Sequence, residues 1–183
     1  AVMSTAERFI FALGASGNPR SVKWCDQEDN TNWTASATSQ AGDFELQTVG
    51  ALKAGKKVRG INLLFTDVDV HTATYVGLPY VYSFEKAASG CGLISAQAVA
   101  AIDTAALWMS TSGFWTFDGY VKPLPCDVSD YVFNNINYNQ ASKVYAVHNS
   151  MFGEVTWYYP SSSSNENDSY VTYNYREGHW AIG

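Results

Sequence analysis

Apolar and polar positions alternate through most of this chain, and the alternation breaks at glycine, proline, aspartate and asparagine. A period of two is the signature of half-buried β-strands. It is clearest in the last third. Lys143 to His148 alternates, and Asn149 to Gly153 supplies turn chemistry. Glu154 to Tyr159 is an aromatic and β-branched run closed by Pro160, and Ser161 to Asp168 is polar and aperiodic, as an exposed loop is. Tyr170 to Tyr175 alternates again, Arg176-Glu177-Gly178 turns, and His179 to Ile182 completes a fourth strand. Within Trp157-Tyr158-Tyr159, alternation puts Tyr158 on the face opposite the other two. Four short antiparallel strands in about 40 residues is the length of one β-propeller blade.

The preceding segment repeats the arrangement. Strands are predicted over Ala98 to Ile102, Ala106 to Ser110, Phe114 to Phe117 and Tyr120 to Leu124. Asp118-Gly119 predicts a type I′ hairpin turn, which needs positive φ at both central residues. Pro123 suits an edge strand, where no ladder donor is required. Upstream, Phe44 to Val49, Val58 to Thr66, Val70 to Val76 and Tyr80 to Phe84 form another set. The amino-terminal part offers Arg8 to Leu13 and Val22 to Cys25, then a polar loop from Asp26 to Asn32. The expectation is an all-β chain of antiparallel four-stranded meanders, a β-propeller or partial propeller. It forms a single domain over 1–183, with a partial blade at 1–42 and blades at 43–90, 91–126 and 138–183. One short helix interrupts it at 128–136: Val128, Val132 and Ile136 recur every four residues, Asp127 is placed to cap it, and Asp130 suits its positive end.

Composition narrows the function classes. The 183 residues include 27 aromatics (6 Trp, 12 Tyr and 9 Phe), a bias that favours strands. The net charge of −6 argues against gripping a phosphate backbone, which needs clustered Lys and Arg. No apolar run approaches the roughly 18 residues of a membrane span, so none is expected. Cys25, Cys91 and Cys126 form neither a CxxC pair nor an even set. They read as buried thiols, with one bridge plus a leftover thiol as the alternative.

Catalytic patterns are sparse. His71, His148 and His179 share no ligand spacing and read as structural or surface residues. Acids recur in loops: Asp26, Glu28 and Asp29; Asp67 and Asp69; Glu166 and Asp168. Such groups can ligate Ca²⁺ or, in pairs, hydrolyse glycosides, but none carries the EF-hand series, and solvated loop acids are the favoured reading. Nucleophile elbows and P-loops do not occur. Ser110 to Trp115 approaches a sialidase-type turn but lacks its aspartate. The expectation is therefore no enzyme, no cofactor and no metal. Trp33, Trp115, Trp157 and Trp180 are the candidate ligand-contact aromatics, should sugars stack on this protein; bulky aromatics are equally the material of packing between sheets.

The segments Trp24 to Thr34 (WCDQEDNTNWT), Cys91 to Ser95 (CGLIS), Gly113 to Cys126 and above all Asp130 to Gly183 resemble a family of tailed-bacteriophage structural proteins. That family is similar to the propeller-bearing hub, nozzle and packaged-DNA stabilisation proteins of short-tailed phages. The resemblance implies a virion protein, made in the host cytoplasm, that works by assembling with tail, portal or adaptor proteins and with copies of itself. It also implies a longer protein, of which this chain, starting at Ala1, is a fragment. It carries over no catalytic residue. The alternatives are a glycan-binding adhesin module and a glycan hydrolase using acids such as Asp26, Asp67 or Asp168.

Overall fold

A computed structural model describes residues 1–183. The chain is all-β, with four four-stranded antiparallel sheets whose strands neighbour one another in chain order. The first holds β1 (Val2–Ser4), β2 (Ile10–Leu13), β3 (Ser21–Trp24) and β4 (Gly42–Glu45). The second holds β5 (Leu52–Val58), β6 (Ile61–Thr66), β7 (Asp69–Gly77) and β8 (Val81–Ser89). The third holds β9 (Val99–Ala101), β10 (Ala106–Ser110), β11 (Gly113–Phe117) and β12 (Val121–Pro123). The fourth holds β13 (Tyr145–Asn149), β14 (Glu154–Tyr159), β15 (Ser169–Asn174) and β16 (His179–Ile182). This is the propeller-like repeat of meanders that the alternation predicts.

Its boundaries differ from the expected ones at the amino-terminal end. The first set is a complete blade-like sheet, because Phe44 pairs with Val22 and closes that sheet instead of opening the next. The second set opens on Leu52–Val58, a stretch whose lysines conceal its alternation. The type I′ turn also lies elsewhere. Phe117 pairs with Val121, leaving a three-residue connection in which Gly119 has positive φ and Asp118 does not. At Arg59-Gly60 both residues have positive φ, and the flanking Val58 and Ile61 pair directly. Pro123 does lie on the outer strand β12.

Where the sequence reading expects one domain, the chain divides into two compact units, Ala1–Gly92 and Leu93–Gly183, of two sheets each. In the first, Phe9, Phe11, Leu13, Val22, Leu64 and Tyr82 form a single core cluster. Burial alternates along β2 and β3, so Phe11, Leu13, Val22 and Trp24 face it. Each fully buried large apolar side chain contributes about 1.5–3 kcal/mol.

In the second unit, burial alternates along the whole of β14. Val155, Trp157 and Tyr159 point inward, while Tyr158 lies on the other face, stacked on Tyr145 with ring centroids 5.0 Å apart. The expected helix is α1 (Ser129–Asn135), with Val132 buried and Asp130 in its first turn. Asp127 does not cap it: Val128 occupies that position and no side chain bonds the free N–H groups. A 3₁₀ turn over Tyr138–Lys143, capped by the Asn137 side chain, occupies what the alternation assigns to the start of the last blade. No helix is long and apolar enough to cross a membrane.

Candidate functional site

The first unit carries an open groove of about 1110 Å³. One wall is the segment from Ala35 to Phe44, which ends in β4; the other is the tip of the β7–β8 hairpin and the start of β8. Both β4 and β8 are outer strands of their sheets. Trp24, Phe44, Tyr80 and Phe84 supply its aromatic surface. Phe44 and Phe84 are stacked nearly parallel, with centroids 4.5 Å apart and planes at 5°. Trp24 is tilted against Phe84 at 5.7 Å.

Local chemistry holds these rings in place. Trp24 Nε1 donates to the Gln40 carbonyl at 2.8 Å, and its indole lies against the backbone of Gly42, where an added Cβ would come 2.6 Å from Cζ2. Gln40 is anchored in turn: its N–H donates to Asp26 Oδ1 at 2.9 Å, and its side-chain carbonyl accepts from the Tyr75 hydroxyl at 3.1 Å. Asp26 also accepts from the Gln27 N–H and the Asn32 amide. A loop acid singled out by the sequence is thus the tie that closes the loop behind the groove. Opposite, the hairpin connection Leu78-Pro79-Tyr80 contains a cis peptide at Pro79, and Val81 has φ +64°, an outlier for a β-branched residue. Tyr80 is left 79% exposed and Phe44 38%.

A second cluster lies in the core of the same unit. Asp69, expected as a solvated loop acid, is buried. Its carboxylate accepts from Thr66 Oγ1 at 2.6 Å and Thr48 Oγ1 at 2.7 Å, and pairs with His71 Nε2 and Lys86 Nζ, each at 3.1 Å. Burial opposes ionisation of Asp69, but the Thr66, Thr48 and Lys86 hydrogen bonds and the His71 ring outweigh it and hold the carboxyl below its ordinary range. Burial also pushes the His71 pKa down, against the pull of Asp69. The Cys91 thiol nearby is pushed up to about 11, first by burial and then by Asp69, so it remains protonated. This is a closed structural network that ties Thr48, the end of β6 and β8 together. All three cysteines are free; Cys25 and Cys91 are buried, as the thiol reading expects, whereas Cys126 is half-buried.

The four predicted tryptophans do not form one face. Trp157 is 0% exposed and donates to the Ala98 carbonyl at 2.9 Å, so it is a core residue and its candidacy for ligand contact is withdrawn. Trp180 is half-buried and packed against Phe114 and Tyr173, both at 4.7 Å. Trp115, half-buried on β11, donates to Ser112 Oγ; Trp33, in the first unit, donates to the Asn30 carbonyl and does not line the groove. The groove aromatics were missed because nothing local marks Phe44 and Phe84 as partners 40 residues apart. The one usable signal was Leu78-Pro79-Tyr80, an apolar turn where turns are normally polar.

The second unit has an exposed apolar feature of its own. At the β13–β14 tip, Met151 is 77% and Phe152 60% exposed. Arg176 braces the tip, donating from Nη1 to the Met151 carbonyl at 3.0 Å and from Nη2 to the Ser150 carbonyl at 2.6 Å.

No family profile and no curated protein matches this chain. Among solved structures, the AfRom2 CNH domain is similar over 99% of this chain, with 13% identity and a TM-score of 0.52. A protein from Bacteroides fragilis is similar over the whole chain, with 9% identity and a TM-score of 0.49. This chain spans 55% and 57% of those two chains. At such identities the first likeness speaks for the fold, a propeller-like all-β arrangement.

Proposed function

We propose that this chain is a structural protein of a tailed-phage virion, of the tail hub, nozzle or head-to-tail connection type, acting through protein–protein assembly. In this reading it turns over no substrate and resides in the particle after synthesis in the host cytoplasm. Its partners are tail, portal or adaptor proteins and copies of itself. The observation that carries the assembly reading is the braced tip of the second unit. Two large apolar side chains stand in water on a turn whose backbone is clamped by Arg176. A rigid apolar anchor loses little conformational freedom on docking, and such anchors dominate protein interfaces. The phage assignment is supported by the sequence resemblance, strongest over Asp130 to Gly183. The acidic balance suits a part past which DNA must slide without adhering.

The test is the native mass of the chain, alone and with co-produced virion proteins, beside mass spectrometry of purified particles. The expected result is a defined assembly that the double substitution Met151→Ser, Phe152→Ser weakens about tenfold or more. The same variant should leave thermal stability nearly unchanged, since exposed substitutions cost within about 0.5 kcal/mol. Assembly indifferent to the variant, or absence of the protein from virions, would count against the reading.

A further inference from the structure

We infer that the groove of the amino-terminal unit binds a neutral oligosaccharide, with sugar rings seated on Phe44 and Tyr80 and their hydroxyls met from the rim. The occupant follows from the chemistry of the lining. A pyranose presents an apolar C–H face and a girdle of hydroxyls, so it needs an aromatic floor edged by small polar groups. The groove has both. Its floor is the exposed ring of Phe44, backed by Phe84 and Trp24, and Tyr80 stands free on the hairpin wall. Its rim holds the hydroxyls of Ser36, Ser39 and Ser83 and the carboxylate of Asp43. Ser39 Oγ accepts from the Ala41 N–H, which leaves its own hydrogen to donate. The volume, about 1110 Å³ and open to solvent, lies at the upper end of ligand sites and admits a chain of several sugars.

Charge narrows the class further. Asp43 is the only charged residue lining the groove and no Lys or Arg reaches it, so an acidic glycan or a nucleic acid meets repulsion with nothing to offset it. A peptide adding as a strand is the less favoured occupant. The outer strands beside the groove carry Asp43 and Glu45 on β4 and Glu85 and Lys86 on β8, charges of the kind that protect sheet edges from strand addition. The rings are also fixed beforehand, through the Trp24–Gln40 bond and the Phe44–Phe84 stack, so little ordering accompanies binding.

The experiment is calorimetric titration of the 183-residue chain with maltohexaose, cellohexaose, β-1,4-mannohexaose and chitohexaose, with trigalacturonate as the anionic control. At least one neutral hexasaccharide is expected to bind with a Kd on the order of 1 mM or tighter. Tyr80→Ala, a change at an exposed side chain, should weaken that binding about tenfold or more, and Phe44→Ala likewise. Tyr170→Ala, at an exposed ring of the other unit, should leave it unchanged. The inference is overturned if none of the four binds, if binding survives both groove substitutions, or if trigalacturonate binds as well as the best neutral sugar. Failure of all four sugars together with Tyr80-dependent binding of an alternating Val-Thr decapeptide would assign the groove to a protein strand instead.

Discussion

Asp69→Asn is expected to destabilise the first unit by about 3 kcal/mol at neutral pH, although the substitution changes hardly any volume. The carboxylate is the shared acceptor for Thr48, Thr66, His71 and Lys86, and an amide in its place turns two acceptor lone-pair sites into donors facing donors. Removing one member of a buried charged pair costs about 3–5 kcal/mol, and the lower end applies because the Lys86 side chain is 42% exposed and retains water. The pH dependence follows from both groups. Asp69 in the folded protein ionises below the ordinary 3.8, so its contribution is present in full above that value and is lost as pH falls from there through the lower folded value. His71, held neutral by burial, also titrates below its ordinary 6.5. The unfolded chain therefore takes up that proton first, and stability begins to fall as pH drops below about 6.5. Urea unfolding between pH 7 and pH 3 checks both points. Wild type should show two descending stretches, of which the lower is shallower in Asp69→Asn, where Asp29 and Asp168 still titrate below the ordinary value. An unfolding free energy within 1 kcal/mol of wild type at pH 7 would refute the role given to this carboxylate.

Trp157→Ala should be the more damaging change, about 4 kcal/mol, in the range measured for deleting a buried aromatic side chain. The ring lies 5.0 Å from Phe114 and is stacked 6.1 Å from Trp180, so its loss opens a cavity bordered by two other aromatics. Trp157→Phe separates packing from polarity. It keeps much of the volume and removes the indole donor to the Ala98 carbonyl, which still accepts the Met109 N–H at 3.1 Å, and should cost about 0.5–1.5 kcal/mol. Denaturant midpoints for the two variants, with far-ultraviolet circular dichroism to establish folding, give the comparison. Equal effects would mean that the hydrogen bond, not the ring, carries the site. Neither substitution should alter sugar binding if the groove of the first unit is the binding site.

The contrast between these tryptophans shows where sequence reasoning stops. Alternation correctly separated Tyr158 from Trp157 and Tyr159, because side-chain direction along a strand is a local property of the backbone. It could not say which face meets another sheet and which meets water, and so it offered Trp157 as a ligand contact beside Trp33. Asp69 is the same problem in reverse. A charged residue near a turn is normally solvated, and only the arrival of Thr48 and Lys86 from elsewhere in the chain makes its burial tolerable. The groove rings come from three separate strands, β3, β4 and β8, and from the β7–β8 turn, and no short window of sequence contains them all. The hairpin turns show a subtler gap. Asp118-Gly119 has the favoured turn composition, yet the positive φ pair sits at Arg59-Gly60, where register between β5 and β6 requires two residues.

By itself, then, the sequence determined an all-β chain of successive meanders, a short helix before the last of them, and the separation of Tyr158 from Trp157 and Tyr159 on opposite faces of one strand. Those follow from period-two patterning and turn residues, which act over a few positions. Tertiary structure alone decided that the first meander is complete, that Asp69 lies in the core, and that Trp24, Phe44, Tyr80 and Phe84 share one groove while Trp157 lies in the core. Each of these depends on contacts between residues distant in the chain, and such contacts are selected by packing and by satisfying buried polar groups, neither of which leaves a periodic trace.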